Sequence, residues 1–272
     1  MMRNVRSLAG TVLNRLPRAG GVAVLGALLA AGVSTAQPAP AIGGRAADAA
    51  HVVEAAAPRA GDTRELVVLV HGMGRTPLSM GVLGRRLERD GYRVVRFGYR
   101  STRGSVAELG AALGRRAAQR TGDAPRVHFI GHSLGTVIIR SMIAQAPPER
   151  TGRVVMLAPP NQGSAAADRW APWIGWAMPP IRELRTVPGS TARTLALPEG
   201  AEVGIIAGAR DHKVRVAETY LAGARDHVVV PGFHTFLMNR PDVHRLVLRF
   251  LRTGRFSETE APGEPVNPPA PR

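Results

Sequence analysis

The sequence contains no cysteine, and Lys213 is the only lysine among its 36 basic residues. Without cysteine the chain forms no disulfide, binds no metal through thiolates and carries no lipid on a cysteine. The other basic residues are arginines scattered at helical surface spacings, so the formal net charge of +16 includes no concentrated basic run. Aromatic residues make up 4% of the chain and do not alternate with basic ones as a base-stacking platform requires. The composition therefore argues against nucleic-acid binding and favours weak attraction to anionic membrane surfaces.

The N-terminal region lacks an apolar run long enough for an ordinary membrane span. Its apolar stretch covers residues 20–33, whereas a spanning helix needs roughly 20 residues. Four arginines precede this stretch, and the small residues Ser34, Thr35 and Ala36 follow it. The pattern predicts a Sec-type signal peptide over residues 1–36 that is cleaved near Ala36 and directs export. The alternative is an uncleaved N-terminal membrane anchor.

Two further segments are predicted to lie outside the folded domain. Residues 37–62 are rich in Ala, Pro and Gly, which is typical of a flexible linker. Residues 257–272 hold five prolines and show no apolar periodicity, which predicts a disordered tail. The remaining residues, 63–256, are expected to form a single domain.

Within residues 63–256, strand-like and helix-like segments alternate. Leu66–Val70 is a continuous apolar run, which predicts a strand buried on both faces. Five further strands are predicted at Tyr92–Phe97, Arg126–Ile130, Arg153–Leu157, Ala201–Ile206 and Asp226–Val230. Amphipathic runs predict the principal helices: Pro77–Asp90, Ser105–Arg120, Thr136–Gln145 and Pro241–Arg252. Such alternation predicts an α/β fold, a doubly wound and mainly parallel six-stranded sheet with helices on both faces. Residues 165–190 are predicted to be a short helical insertion that acts as a cap.

The segment Gly131–Gly135 reads Gly-His-Ser-Leu-Gly and lies between a predicted strand and a predicted helix. A G-x-S-x-G in this context is typical of a nucleophile elbow, a sharp strained turn that presents the serine above the sheet. Gly131 and Gly135 are expected where a side chain would collide with neighbouring elements. The pattern predicts Ser133 as a nucleophile, and the alternative is an ordinary glycine-rich turn.

Four motifs in order resemble bacterial lipase and esterase members of the α/β-hydrolase superfamily. They are His71–Arg75, the elbow, Ala158–Ser164 (APPNQGS) and Val230–Phe236 (VPGFHTF). The resemblance covers roughly residues 64 to 252. It implies a minimal form of that fold, without the first two strands of larger relatives, and no cofactor. It is less specific for the substrate, because one fold carries many chemistries.

In the superfamily that the chain resembles, the catalytic acid and then the histidine follow the serine. His234 comes just after the last predicted strand, whereas the rival His244 lies inside an amphipathic helix. Asp211 follows the strand Ala201–Ile206. The rival Asp226 begins a strand, and sites in parallel sheets form at the carboxyl ends instead. We therefore expect Ser133, Asp211 and His234 to be catalytic.

An oxyanion hole needs two donors. The resemblance implies the N–H groups of Leu134, after the serine, and Met73, in the loop after the first strand. His71 is expected to hydrogen-bond within that loop. No metal site is predicted, because the histidines lack the H-E-x-x-H spacing.

The predicted cap contains Trp170, Trp173, Trp176 and Met178. We expect these residues to bind substrate on an apolar inner face. The alternative is that the tryptophans pack a helix onto the core.

The sequence thus predicts an exported serine hydrolase that cleaves carboxylic esters through an acyl-enzyme on Ser133. We expect a monomer that acts on small-molecule or lipid esters and makes peripheral contact with membranes. An acyltransferase or thioesterase with the same triad is the enzymatic alternative. A non-catalytic binding module of the same fold is the other.

Overall fold

The computed structural model describes residues 61–257. The predicted signal peptide, nearly all of the predicted linker and nearly all of the predicted tail lie outside these residues. Their assignments stay predictions. Among residues 61–257, every helix is too short or too polar to span a membrane.

A single six-stranded sheet forms the centre of the described part of the chain. Its strands are β1 (Leu66–Val70), β2 (Arg93–Phe97), β3 (Val127–His132), β4 (Thr151–Leu157), β5 (Val203–Gly208) and β6 (Asp226–Val230). They lie in the order β2-β1-β3-β4-β5-β6, and every neighbouring pair is parallel. The predicted fold class is confirmed, with a sheet that is parallel throughout.

Helices connect the strands. They are α1 (Gly81–Arg89), α2 (Val106–Thr121), α3 (Leu134–Gln145), α4 (Ala165–Ile174), α5 (Pro179–Glu183), α6 (Thr191–Thr194), α7 (Val216–Thr219) and α8 (Pro241–Thr253). Two 3-10 segments, Pro77–Met80 and His234–Asn239, precede α1 and α8. The predicted helix Pro77–Asp90 is therefore a 3-10 turn followed by an α-helix.

Helices pack on both faces of the sheet, which explains the continuous apolar run of β1. Leu66 and Val68 of β1 pack into a core with residues of α2 and α3. Val67 and Leu69 point to the other face, where they pack with residues of α1 and α8. All five residues of β1 are buried, because successive side chains of a strand alternate between the two faces.

Local signals define the helix ends. The Ser105 hydroxyl accepts a hydrogen bond from the Glu108 N–H at 3.2 Å, and the Glu108 carboxylate accepts from the Ser105 N–H at 2.7 Å. This capping box at the start of α2 was expected from the sequence. Pro241 occupies the first turn of α8, and Gly254 ends that helix with a φ of 76°.

The strand order reverses between β1 and β3, since β2 lies on one side of β1 and all later strands lie on the other. At the carboxyl edge of this pair, Val70 is in register with Gly131. The loop after β1 and the turn after β3 therefore emerge side by side. Such a reversal is where open parallel sheets place their binding crevices.

Candidate active site

Ser133 forms the turn between β3 and α3 with a φ of 52° and a ψ of −123°. A residue other than glycine at positive φ costs about 1–3 kcal/mol, so the surroundings must hold it. The Ser133 N–H donates to the Leu157 carbonyl at 2.9 Å. The Ser133 carbonyl accepts from the N–H and the hydroxyl of Thr136 at 2.9 Å and 2.7 Å. These bonds fix the backbone that presents the serine hydroxyl.

The two glycines of the elbow are required by close backbone approach. A Cβ on Gly131 would lie 2.7 Å from the backbone nitrogen of Thr136. A Cβ on Gly135 would lie 2.6 Å from the His71 carbonyl oxygen and would also overlap the Val70 carbonyl. Real Cβ atoms do not approach backbone this closely, so α3 packs against the end of β1 only because Gly135 lacks a side chain. This agrees with the role expected for both glycines.

His234 and Asp211 form a buried pair beside the serine. His234 begins the 3-10 segment after β6, and Asp211 lies in the loop after β5. The His234 Nδ1–H donates to Asp211 Oδ2 at 2.7 Å. The other carboxylate oxygen, Oδ1, accepts from the N–H groups of Lys213 and Val214, both at 2.8 Å. Three hydrogen bonds therefore orient the carboxylate, and the carboxylate orients the imidazole with Nε2 free to accept a proton.

The rival residues have structural partners elsewhere. His244 Nε2 lies 2.7 Å from Asp90 Oδ2 and links α8 to the end of α1. Asp226 accepts from the N–H groups of His227 and Phe256 at 2.8 Å and 2.6 Å, at the amino end of β6. Neither residue lines the cavity at Ser133.

The loop after β1 lies against the elbow. A Cβ on Gly72 would lie 3.2 Å from the Ser133 Cβ. Met73, the next residue, lines the cavity at Ser133. Within residues 61–257, the Met73 and Leu134 N–H groups show no hydrogen-bond acceptor. Both N–H groups are therefore available to a substrate oxygen.

His71 supports this loop from inside the fold. Its Nδ1–H donates to the Gly72 carbonyl at 2.9 Å, and its ring stacks on Tyr99 with 4.2 Å between ring centres. The Tyr99 hydroxyl donates to the His71 carbonyl at 2.5 Å. Burial lowers the pKa of His71 from 6.5 to about 4, so the ring is neutral at neutral pH. His71 therefore has the hydrogen-bonding role within the loop that the sequence predicts.

His132, the residue before the serine, is a part of the site that sequence reasoning missed. Its Nε2–H donates to the His234 carbonyl at 2.9 Å, and the two rings lie 4.8 Å apart. Burial above all, with the nearby His234, lowers the pKa of His132 well below its ordinary value. His132 thus stays neutral and positions the backbone of His234. The only sequence signal was its place inside the G-x-S-x-G motif.

Ser133 and His234 open onto a cavity of about 280 Å³. An apolar part of its lining comes from α4, α5 and the residues that join and follow them, namely Trp170, Met178, Ile181 and Leu184. Such a cavity can hold an apolar group beside the serine.

The structure brings Trp170 and Met178 to this cavity but not Trp173 or Trp176. Trp170, Trp173 and Trp176 are 53%, 75% and 78% exposed. Position 173 lies two residues after the buried Ala171, and such a step rotates by about 200° around a helix. The small residues of α4 therefore face the core, and Trp173 faces solvent. We expected all three tryptophans to lie on an inner face, but only Trp170 lines the cavity. The alternative, in which all three pack into the core, does not match their exposure either.

A model of the alpha/beta hydrolase family matches residues 67–254. The chain belongs to the alpha/beta hydrolase family. Its four sequence motifs all lie within this matched range. A comparison with curated proteins gives no significant match.

Solved structures share the fold of this alpha/beta hydrolase. The mature Bacillus licheniformis lipase BlEst2 is similar with a TM-score of 0.54 and 15% identity, over 75% of this chain and 97% of that one. The Paleococcus ferrophilus monoacylglycerol lipase has a TM-score of 0.53 and 18% identity, over 71% and 96%. The Pyrococcus furiosus esterase Pf2001 has a TM-score of 0.50 and 17% identity, over 70% and 83%. At these identities the likeness concerns the fold alone.

The hydrolase fold thus brings four predicted parts of the site together. They are the serine, the acid–histidine pair, the loop that contains Met73 and the apolar lining that the insertion contributes. Among residues 61–257, no group of three or more histidine or acidic side chains is placed to hold a metal ion.

Proposed function

We propose that this alpha/beta hydrolase cleaves carboxylic esters through an acyl-enzyme on Ser133. One observation carries the proposal: Ser133 on its strained turn and the His234 of the Asp211–His234 pair line the same cavity. A serine hydroxyl is a poor nucleophile at neutral pH and needs a base that is itself oriented by an acid. The three side chains provide this set.

In the first half of the reaction, the Ser133 Oγ attacks the acyl carbonyl while His234 Nε2 takes its proton. Because the His234 Nδ1–H is held by Asp211, the lone pair on Nε2 is available for that proton. The N–H groups of Met73 and Leu134 stabilise the negative charge that develops on the carbonyl oxygen. His234 then gives the proton to the leaving alcohol, and the acyl-enzyme remains.

In the second half, water attacks the acyl-enzyme with His234 again as the base. The carboxylic acid leaves and Ser133 regains its proton. If an alcohol or a thiol replaces water, or if a thioester replaces the ester, the same residues act as an acyltransferase or a thioesterase. Product analysis with esters, thioesters and added acceptor alcohols separates these activities.

Covalent labelling tests the proposed nucleophile. An alkyl phosphonate ester should modify the protein once, and peptide mass spectrometry should place the adduct on Ser133. The His234→Gln variant should react much more slowly, because it lacks the base. An adduct on another serine, or equal labelling of both proteins, would contradict the proposed mechanism and favour a non-catalytic role.

We also propose that the exposed face of α4 contacts anionic lipid surfaces. Trp173 on α4 and Trp176 just after it are mostly exposed, and Arg169 on α4 and Arg182 on α5 are exposed as well. Exposed tryptophans beside cationic side chains suit the interface between lipid headgroups and acyl chains. The net positive charge, +16 for the whole chain and +12 without the four arginines of residues 1–36, adds a long-range attraction to anionic headgroups.

Export is proposed from the sequence of residues 1–36. N-terminal sequencing of the protein from its native host should find a first residue near Gln37 outside the cytoplasmic membrane. Retention of Met1 with tight membrane association would support the anchor instead.

A further inference from the structure

The cavity at Ser133 contains two cations and no carboxylate. Arg75 and Lys213 both line it, and its lining includes no aspartate or glutamate. Within the described part of the chain, neither side chain forms an ion pair with a carboxylate. The lining therefore carries positive charge, while the nearby Asp211 carboxylate is held by His234 and by backbone N–H groups. Clefts lined by charge of one sign attract ligands of the other.

Both cations lie on the His234 side of the cavity. The Arg75 Nη2 donates to the carbonyl of Thr235, the residue after His234, at 3.4 Å. The Arg75 guanidinium also lies 5.8 Å from the centre of the Phe236 ring. Arg75 is thus attached to the segment that carries the proposed base.

Lys213 belongs to the loop that carries the proposed acid. Its N–H donates to Asp211 Oδ1 at 2.8 Å, and its carbonyl accepts from the Ser164 hydroxyl at 2.6 Å. These two bonds fix the backbone from which the ammonium group extends. The pKa of the buried His132 responds to both cations: after burial and His234, Arg75 and Lys213 help to lower it. Their charges therefore reach the vicinity of the serine.

The apolar wall and the two cations define the two ends of a substrate. Met178, Ile181 and Leu184 form the wall and belong to the insertion after β4, which meets the Lys213 loop at Ser164. The two cations belong to other loops, which are bonded to the segments of His234 and Asp211. In ester cleavage the leaving alcohol takes its proton from His234, so the alcohol part must lie on the side of the histidine. The acyl part then faces the apolar wall.

We infer that the site selects esters with an apolar acyl part and an anionic alcohol part, in which a carboxylate or phosphate contacts Arg75 and Lys213. The inference rests on the proposed function, because it uses the position of the leaving group. An ammonium and a guanidinium are suited to both kinds of anion. Carboxylate and phosphate probes are therefore tested separately.

The experiment compares esters that differ in charge. Three probes are butyrate esters of 3-hydroxybenzoate, of 3-hydroxyphenyl phosphate and of the neutral 3-hydroxybenzamide. A fourth probe, the glutarate monoester of 3-hydroxybenzamide, carries its anion on the acyl part. At low ionic strength kcat/KM should be about 3- to 30-fold higher for one or both alcohol-side anions than for the neutral ester. The glutarate monoester should be the poorest, and added salt should reduce the preference.

The variant Lys213→Gln/Arg75→Gln should bring the ratio of anionic to neutral kcat/KM close to one. Lys213→Gln alone should lower this ratio partially, and it replaces the double variant as the test if the double variant does not fold. The control Arg89→Gln/Arg115→Gln removes the same charge from exposed positions on α1 and α2 and should keep the preference. An arginine that acted only on the oxyanion would accelerate all esters equally and leave the ratio unchanged.

A ratio near one in the parent, a ratio that the double variant retains, or a preference for the glutarate monoester would overturn the inference. Calorimetric binding of 3-hydroxybenzoate and 3-hydroxybenzamide to Ser133→Ala tests charge recognition without hydrolysis. Absence of hydrolysis for every probe would refute the proposed function. Equal binding of the two phenols would refute the charge selectivity, so the two failures are distinguishable.

Discussion

Replacing Asp211 by asparagine is the sharpest test of the proposed catalytic set. The amide has nearly the same size as the carboxylate, and its oxygen can still accept from the N–H groups of Lys213 and Val214. Its nitrogen then faces His234 Nδ1 as a donor. Because two donors cannot pair, the imidazole proton moves to Nε2 and Nδ1 becomes the acceptor. The imidazole in this tautomer cannot take the proton of Ser133.

The expected loss in kcat is about 10²- to 10⁴-fold, which corresponds to about 3–5 kcal/mol of transition-state stabilisation. Folding should be affected far less, since the asparagine retains two of the three hydrogen bonds and reverses the direction of the third. The assay is hydrolysis of a short p-nitrophenyl ester, with a thermal melt of each protein. A lower kcat with an unchanged melting temperature isolates the effect on the histidine.

Asp226→Asn is the matched control. Asp226 accepts two backbone N–H groups and lies at the amino end of β6. Its replacement should cost about 1 kcal/mol of unfolding free energy or less and leave kcat within a few fold. The reverse result, with Asp226→Asn inactive and Asp211→Asn active, would refute the assignment of the acid.

Other perturbations test separate parts of the molecule. Ser133→Ala should lower hydrolysis of a short p-nitrophenyl ester about 10⁴-fold or more with the fold intact, and activity within tenfold of the parent would remove Ser133 from its role. Acid should destabilise the protein. The pKa of folded His71 is lowered from 6.5 to about 4, so the unfolded state binds more protons between these values and stability falls as pH decreases from 6.5 towards 4. Urea unfolding at pH 7 and 4.5 should show a loss of about 2–3 kcal/mol from this residue, and His71→Gln should reduce that loss. Trp170→Ala should flatten the rise of kcat/KM with acyl length, which is up to about fourfold per buried methylene; an unchanged slope would exclude Trp170 from acyl binding. Trp173→Ala/Trp176→Ala should weaken sedimentation with anionic vesicles while hydrolysis of a short soluble ester continues, and unchanged vesicle binding would count against the lipid contact.

The sheet was predictable because its central strands β1, β3 and β5 are buried on both faces and the strands alternate with helical segments along the chain. The starts of some elements were not. Helix α3 begins at Leu134, two residues before the predicted start. The strained turn at Ser133 passes directly into the helix. Gly135 has a low helix propensity, so the sequence pattern placed the start of the helix after it. Its presence there is explained by the His71 carbonyl, which packs against it across the sheet edge.

The candidate site was predictable in part, because residues that follow neighbouring parallel strands must meet at one edge. Asp211 and His234 follow β5 and β6, which pair in the sheet, and their side chains form a hydrogen bond. The contact of His132 with the His234 carbonyl joins residues 102 positions apart. Side-chain packing decides such a contact, and no local pattern in the sequence records it.

The orientation of the tryptophans shows a different limit. Three tryptophans at three-residue spacing fit a core helix, an inner cap face or an outer lipid-facing surface equally well. The hydrophobicity of the side chains does not show which surface they contact. The orientation of α4 is set by Ala167 and Ala171, which are small enough to let the helix pack closely on the core. That packing leaves Trp173 and Trp176 in contact with solvent. Burial of such side chains contributes roughly 25 cal/mol per Å² of apolar area, so their exposure forgoes stability that a partner surface would restore. An anionic lipid surface is the partner that agrees with the neighbouring arginines, and the double tryptophan variant tests it directly.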